Sequence, residues 1–240
     1  MRHNPFCHLQ HVSSDNFSGR RLLIESIVQD LRAANATSHA IIASQRCSKT
    51  RLLKALADQL RQPVILETDA RLALPFYIDL KARTFDSAGA VFAFILDRVY
   101  RQISRVVHQH SYGLWPTPLQ LGACWFEKLL STPTLSARAF EDGLGYLIDL
   151  LDLPALPVRL VLMLDEIDGS LDQPWTAALY RQARGLMHSH DLRTRLSLVL
   201  TSSQHLLGQQ GIYRAYWANV LKLHCLETLG RAEWAQRLAR

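Results

Sequence analysis

The chain has 240 residues, which is long enough for one sizeable domain, alone or with a small lid, and its formal net charge is +6. With 48% apolar and 20% charged residues and no run of about 18 apolar residues, the composition is typical of a globular protein and argues against a membrane-spanning helix. The N-terminus lacks the apolar segment of a signal peptide, so we expect a cytoplasmic protein. The positive net charge of the chain is compatible with DNA binding but supports it only weakly, because no block of Lys or Arg exceeds two residues.

The N-terminal segment carries side chains of the types that ligate metals. His3, Cys7, His8 and His11 lie close together, and His8 and His11 have a usable i, i+3 spacing. No carboxylate or second cysteine pair completes a ligand set, so a polar N-terminal arm is the simpler interpretation. The four cysteines of the chain are widely spaced without a C-x-x-C pair, which predicts reduced thiols.

The first predicted strand, residues 39–43 (HAIIA), leads into a loop with the order of a phosphate-binding motif. The sequence fits G-x-x-x-x-G-K-[ST] except that Ala43 and Ser48 replace the two glycines. In such a loop the backbone N–H groups and the helix N-terminus surround the phosphates, the lysine neutralises the β and γ oxygens, and the hydroxyl ligates Mg²⁺. The residues predicted to contact the nucleotide here are Ala43, Ser44, Gln45, Arg46, Cys47, Ser48, Lys49 and Thr50. From this match alone, a strand, loop and helix with a chance Lys-Thr pair remains an alternative.

Helical periodicity surrounds the second predicted strand, residues 76–80 (FYIDL). Apolar residues share one face in each of three predicted helices: Leu52, Leu53, Leu56, Ala57 and Leu60; then Val91, Phe94, Ile95, Val99, Ile103 and Val106; then Phe140, Leu144, Leu147, Ile148 and Leu151. Residues 109–135, which contain prolines and tryptophans, break this period and are predicted to form an irregular insertion.

The third predicted strand, residues 160–164 (LVLML), runs directly into two carboxylates. An apolar strand ending in Asp165 and Glu166 has the form of a Walker B motif. Asp165 would hold Mg²⁺, directly or through water, and Glu166 would polarise the attacking water as a general base. A strand followed by a solvated acidic turn is the alternative.

The fourth predicted strand, residues 196–200 (LSLVL), ends in Thr201, Ser202 and Ser203. In an ATPase core a polar residue at this tip senses the γ-phosphate, and Ser202 is the candidate; equally, such residues often cap the next helix. The fifth predicted strand covers residues 220–223 (VLKL). Because the strands are continuously apolar and alternate with helices, we expect a parallel sheet with helices on both faces.

These motifs, in this order, resemble the AAA+/STAND-type P-loop ATPases of bacteria and archaea, near the ORC/Cdc6-like branch. Residues 4–6 (NPF) and 17–21 (FSGRR) are similar to the family's NPF…FxGRE segment, which lies against the adenine, so the resemblance implies that Arg20 contacts the nucleotide. SQRCSKTRLL is similar to the family's G-P-R-R-x-G-K-T-S-L-L, with Arg46, Lys49 and Thr50 retained, and DEID resembles its Walker B motif. The resemblance spans residues 4–240.

The resemblance implies an α/β P-loop NTPase fold with five parallel strands in the order 5-1-4-3-2. It also implies an N-terminal segment over residues 1–21, an ATPase core over 22–228, and the start of a truncated lid helix over 229–240. Three features depart from the family: the two missing glycines, Leu22 in place of the acid of GRE, and an end at Arg240, where the lid and its sensor arginine are expected to begin.

We expect ATP and Mg²⁺ to bind weakly, with slow hydrolysis if any. A non-glycine residue at a position that needs positive φ costs about 1–2 kcal/mol, against about 8 kcal/mol for a micromolar site. The favoured function is a nucleotide switch that controls self-association or a larger protein partner. A pseudo-ATPase scaffold and a DNA-associated assembly factor are the alternatives.

Overall fold

A computed structural model describes residues 20–44, 47–62, 71–109, 123–151, 157–170, 172–203, 217 and 219–226. The helices are α1 Arg21–Arg32, α2 Lys49–Arg61, α3 Ala88–Gln109, α4 Ala123–Leu130, α5 Ala137–Leu151 and α6 Thr176–His188. The strands are β1 Ser38–Ala43, β2 Leu72–Asp79, β3 Val158–Asp165, β4 Leu196–Ser202 and β5 Leu221–Leu226. Short 3₁₀ turns, Leu80–Ala82 and Ile167–Ser170, follow β2 and β3.

The strands form one five-stranded parallel sheet in the order β2-β3-β4-β1-β5. This is the predicted 5-1-4-3-2 order viewed from the other end, and the predicted fold class is confirmed. Every residue of β1, β3 and β4 is buried, because helices cover both faces of these strands. The carboxyl ends of all strands therefore meet at one edge, where the predicted motifs lie.

The predicted bounds of β2 were wrong, and Pro75 explains the error. β2 begins at Leu72 rather than at residue 76, and Leu80 lies in the following 3₁₀ turn. A proline argues against a central strand, but β2 is an edge strand. The N–H of Leu72 points toward β3, where it donates to Pro157 O at 2.9 Å, so the odd-numbered residues direct their backbone groups to the free edge. There Pro75 lacks an N–H without losing a ladder bond, and Gln102 Nε2 donates to Tyr77 O at 3.2 Å.

The helices divide between the two faces of the sheet. α1 and α2 pack on one face, and α3, α5 and α6 pack on the other. Burial of the predicted apolar faces is confirmed, except that the side chain of Val106 lies outside the described residues. Among the described helices, none combines the length and apolar character needed to cross a bilayer.

The predicted irregular insertion at residues 109–135 was wrong in its second half. Helix α4 lies there and buries Phe126 against Tyr100 of α3 and Tyr146 of α5. Gly143 of α5 allows the close packing, because a Cβ at that position would lie 2.7 Å from Leu96 Cδ2. Residues 110–122 lie outside the described part of the chain.

Arg159, in β3, joins α1 to the rest of the fold although it is only 1% exposed. Its guanidinium donates to the carbonyl oxygens of Leu31, Ala33 and Ala34 at the end of α1, and to Thr194 O before β4, at 2.6–3.1 Å. Burial, followed by the charge of Arg71, lowers the pKa of Arg159 to about 10. The guanidinium remains a cation at neutral pH, and the carbonyls at the negative end of α1 stabilise it.

Candidate functional site

The phosphate-binding-type loop and the acidic pair lie at the same edge of the sheet. β1 ends at Ala43 and β3 ends at Asp165, with β4 between them. Two strand spacings separate β1 from β3, a distance of about 10 Å. Lys49, which begins α2 after the loop, and Asp165 are therefore brought to the same edge of the sheet.

Ser48 adopts the left-handed conformation that the motif normally assigns to glycine. Its φ is 58° and its ψ is 32°, and its carbonyl accepts the N–H of Leu52 at 3.0 Å as α2 begins. A residue with a Cβ pays about 1–2 kcal/mol to hold this conformation. The loop therefore keeps the backbone path of a glycine at this position despite the substitution.

The Lys49 ammonium lies inside the loop. Lys49 is only 9% exposed, and its Nζ donates to Ala43 O at 3.2 Å and Ser44 O at 3.4 Å. Ser44 Oγ lies 2.9 Å from Cys47 Sγ, and the N–H of Cys47 donates to Ser44 O at 3.4 Å. Thr50 is half-buried in the first turn of α2. Gln45 and Arg46, also predicted to contact nucleotide, lie outside the described residues.

Asp165 is held by hydroxyl groups from the strands on either side of it. The carboxylate is 1% exposed; Tyr77 OH of β2 donates to its Oδ2 at 2.9 Å, and Thr201 Oγ1 of β4 donates to its Oδ1. Burial, and then the negative charge of Asp165, raises the pKa of the Tyr77 phenol, so Tyr77 stays a donor. The carboxylate is consequently fixed at the centre of three strands.

Glu166, the predicted general base, has a strained backbone and a side-chain partner. Its φ is 54°, and its N–H donates to Thr201 Oγ1 at 3.0 Å. Its Oε2 lies 2.9 Å from Lys81 Nζ, in a pair whose side chains are 74% (Lys81) and 36% (Glu166) exposed. The structure thus directs the Glu166 carboxylate to Lys81, in the 3₁₀ turn that follows β2.

Ser202, the predicted γ-phosphate sensor, is bound to a carboxylate of the DEID segment. Its Oγ donates to Asp168 Oδ1 at 2.7 Å, and the same carboxylate accepts the N–H and the hydroxyl of Ser203 at 2.8–2.9 Å. Arg20 precedes α1, and its carbonyl accepts the N–H of Ile24 at 3.0 Å. Residues 1–19, with the NPF motif and the histidine-cysteine group, lie outside the described residues.

Sequence reasoning did not assign roles to Tyr77, Thr201 and Lys81. Thr201 and Tyr77 reach Asp165 from the ends of the neighbouring strands, and Lys81 follows β2. A search for polar residues near the carboxyl end of each predicted strand would have identified Thr201, because these ends meet at one edge; Tyr77 would have been missed, since it lies near the start of the predicted strand at residues 76–80.

The residues at this edge fit a magnesium ion that is shared with phosphate. Among the described residues, no group of three or more His, Cys, Asp or Glu side chains is placed to hold a metal. Asp165 and Thr50 offer hard oxygen donors, and each Asp165 oxygen keeps lone-pair capacity beside its hydroxyl bond. Mg²⁺ is commonly bound in this way, by one or two protein oxygens, water and substrate phosphates.

No protein-family model matches this chain, and no curated protein is significantly similar to it. Solved structures do match. The ORC2 protein of Aeropyrum pernix, described in ADPNP-ADP complexes, has a TM-score of 0.56 and 16% identity, covering 92% of this chain and 51% of that chain. A Walker-type ATPase of Pyrococcus abyssi has a TM-score of 0.55 and 14% identity, covering 92% and 56%. The Aeropyrum pernix ORC1 protein in complex with DNA has a TM-score of 0.50 and 17% identity, covering 91% and 48%.

Two of these neighbours are named as ORC proteins and the third as a Walker-type ATPase, and the chain shares their fold. It spans about half the length of the structures it matches. At 14–17% identity the likeness concerns the fold, and function has to be argued from the site.

Proposed function

We propose that this chain is an ATP-binding switch of the AAA+/STAND type. Mg-ATP binds between the loop at residues 43–50 and the pair Asp165 and Glu166, and the bound state controls self-association or a partner protein. The observation that carries this proposal is the left-handed backbone of Ser48, because it preserves the loop path that surrounds phosphates. The complexes of Aeropyrum pernix ORC2 with ADPNP and ADP support the same class of ligand.

Each side chain has a separate role in the proposal. Lys49 supplies the ammonium that faces the β and γ oxygens, in place of its bonds to Ala43 O and Ser44 O. Thr50 and Asp165 would hold Mg²⁺, which would neutralise charge on the phosphates. Glu166 accepts the proton of the attacking water, and it has to leave Lys81 to do so.

The proposal also predicts weak binding and slow turnover. The bonds of Lys49 to the loop carbonyls compete with phosphate contacts, and the ion pair of Lys81 holds Glu166. Both contacts must be exchanged before catalysis. At millimolar nucleotide, even a site of about 0.1 mM affinity is mostly filled, so a switch remains effective.

Calorimetric titration of the 240-residue protein with Mg-ATP and Mg-ADP tests the proposal. We expect saturable binding of both, with Glu166→Gln preserving affinity and abolishing phosphate release. Lys128→Ala, on the exposed side of α4, is the matched control and leaves both unchanged. Absence of affinity in both the native protein and Ser48→Gly rejects the switch and leaves the pseudo-ATPase scaffold.

The scaffold is the second candidate because three site residues already have partners within the protein. Lys49 binds loop carbonyls, Glu166 binds Lys81, and Ser202 binds Asp168. A scaffold predicts that substitutions of these residues leave partner binding unchanged.

A DNA-associated assembly factor is the third candidate, supported by the net charge of +6 and by the ORC1 complex with DNA. It predicts DNA affinity that falls steeply with salt concentration.

Control of assembly has its own measurement. If nucleotide promotes self-association, light scattering will report a larger mass with Mg-ATP than with Mg-ADP or without nucleotide. A mass that is the same in all three solutions restricts the proposal to a separate protein partner.

A further inference from the structure

A groove runs along the free edge of β2, beside the Asp165 site, with which it shares Tyr77. Its volume is about 570 Å³, within the range of ligand-binding clefts. α2 forms one wall from the first face of the sheet, α3 forms the other wall from the opposite face, and residues at the end of β2 form the floor. The groove therefore spans both helical layers of the domain at the sheet edge.

The walls carry cations whose positions are fixed by aromatic rings. Lys54 Nζ of α2 lies 5.8 Å from the centroid of the Tyr77 ring, and the Arg98 guanidinium of α3 lies 5.0 Å from that of Phe94. Arg105 continues the α3 wall two turns further on. Within the described part of the chain these three cations make no ion pair with a carboxylate, whereas Arg61 pairs with Asp58 and Arg101 with Asp97.

The floor and the lining acids determine what kind of anion fits. Asp58 and Asp79 also line the groove and interrupt the positive surface, which disfavours a continuous row of phosphates. The half-buried ring of Tyr77 and the exposed methyl group of Ala82 line the groove beside the cations, so acidic and apolar groups of a ligand find partners side by side. Addition of a strand to β2 is obstructed by Pro75 and by the Gln102 bond to Tyr77 O, so the occupant is recognised through its side chains.

We propose that this groove binds a peptide segment of a partner protein in which acidic residues are interspersed with apolar ones. Carboxylates of the segment contact Lys54, Arg98 and Arg105, and its apolar side chains cover the floor. The inference gives the proposed switch a partner site, and in that respect it rests on the proposed function. Tyr77 is common to both sites, since its ring lies under Lys54 while its hydroxyl binds Asp165.

Selection from a displayed library of random decapeptides tests the groove directly. The bait is the full chain without nucleotide, and the counter-bait is the double variant Arg98→Glu/Arg105→Glu. We expect enriched peptides to carry acidic residues among apolar ones and to bind the double variant at least about tenfold more weakly, as the loss of close charge contacts implies. Arg138→Glu, an exposed arginine on α5, is the matched control and changes affinity less than twofold.

Two further measurements keep the result decisive. Thermal unfolding establishes that the double variant is folded; if it is not, Arg98→Gln/Arg105→Gln replaces it with the same expected loss. A single-stranded ten-nucleotide oligo-dT is titrated in parallel. Four results would each overturn the proposal. The enriched peptides could lack an acidic bias, their binding could be unaffected by the variants, or no peptide could be enriched at all. Finally, oligo-dT could bind in a groove-dependent way more tightly than any peptide. Because nucleotide is omitted, the groove is tested even if Mg-ATP fails to bind.

Discussion

The two halves of the candidate nucleotide site are built differently. The acidic half is held by side chains from three strands, since Asp165 accepts hydroxyl bonds from Tyr77 and Thr201. The loop half is held by its own residues, through the Lys49 bonds to two adjacent carbonyls and the left-handed backbone of Ser48. The acidic half therefore belongs to the fold, and changes in it should cost stability. The loop half is local, and loss of the Lys49 ammonium from it should alter ligand binding with little effect on folding.

The largest expected effect is in the loop half. Lys49→Ala removes the ammonium that we propose faces the phosphates, so we expect Mg-ATP affinity to fall at least about hundredfold, a change of about 2.7 kcal/mol. The free energy of unfolding should change by less than about 1 kcal/mol, because removing a buried ammonium also removes its desolvation cost, which offsets the bonds lost to Ala43 O and Ser44 O. Calorimetry and urea unfolding measure the two quantities. A large stability loss with unchanged affinity contradicts the division between the halves.

Acid should weaken the strand that leads into the loop. The pKa of His39 in β1 is lowered to about 4, mainly by burial and then by His224, while Asp30 of α1 opposes the shift and Lys222 adds to it. In the unfolded chain His39 binds a proton below pH 6.5, whereas in the folded protein it does so only at about pH 4. Its contribution to the free energy of unfolding is therefore complete above pH 6.5 and is lost as the pH falls toward 4. The loss approaches about 3 kcal/mol at pH 4.

Urea unfolding between pH 7.5 and pH 4 measures this slope, and His39→Gln isolates it from the carboxylates. We expect the variant to lose less stability than the native protein over the same interval. Identical slopes would show that His39 does not control the acid response.

The acidic half should respond to Thr201→Val with a loss of stability. Thr201 is fully buried, donates to Asp165 and accepts the N–H of Glu166. Valine has a similar shape but leaves a buried carboxylate oxygen and an N–H with one partner fewer, at a cost of about 2 kcal/mol. Ser197→Ala, in the same strand, is a control because its buried Oγ lacks a hydrogen-bond partner within the described residues. Equal effects of the two substitutions argue against a structural role for the Thr201 bonds.

A smaller effect is expected from Ser48→Gly. Because Ser48 holds its left-handed conformation within the folded loop, relief of the strain should appear in stability, as a gain of about 1 kcal/mol. Part of the relief is offset by the greater entropy of glycine in the unfolded chain. Thermal unfolding and Mg-ATP titration separate the two readouts. A thirtyfold gain in affinity without a gain in stability shows that the loop adopts this conformation only when it binds.

The smallest effect is expected from Lys81→Ala. This pair is largely exposed, so its loss should change stability by less than about 0.5 kcal/mol. Release of Glu166 should raise any ATP hydrolysis a few-fold, measured as phosphate release. Arg138→Ala breaks a comparably exposed pair with Asp142 and serves as the control. A fall in hydrolysis with Lys81→Ala instead assigns Lys81 a direct role.

The fold was largely predictable from the sequence. Continuously apolar strands that alternate with amphipathic helices indicate a parallel sheet covered on both faces, and the order of the motifs indicates the order of the strands. β2 was misjudged at Pro75, since only the position of a strand in the sheet decides whether a proline is tolerated. The insertion was misjudged because tryptophans and prolines hid the period of α4.

The site was predictable only where motifs exist. Lys49, Asp165 and Glu166 follow from spacing, and their placement at one edge follows from the parallel sheet. The bonds of Tyr77 and Thr201 to Asp165 depend on strand order and register, which a local pattern does not contain. The left-handed backbone of Glu166 and its ion pair with Lys81 depend on the backbone path of the turns that follow β3 and β2.

The bonds of Arg159 set a limit on how far the domain can be shortened. A protein that begins at β1 would lack the carbonyls of Leu31, Ala33 and Ala34, and the guanidinium would keep only its bonds to Thr194 O. A buried cation stripped of most of its acceptors typically destabilises a protein by about 3–5 kcal/mol, much of the stability of an average domain. Expression of a minimal form of this domain therefore has to start before α1, and N-terminal deletions that remove α1 should yield insoluble protein unless Arg159 is replaced by an apolar residue of similar volume.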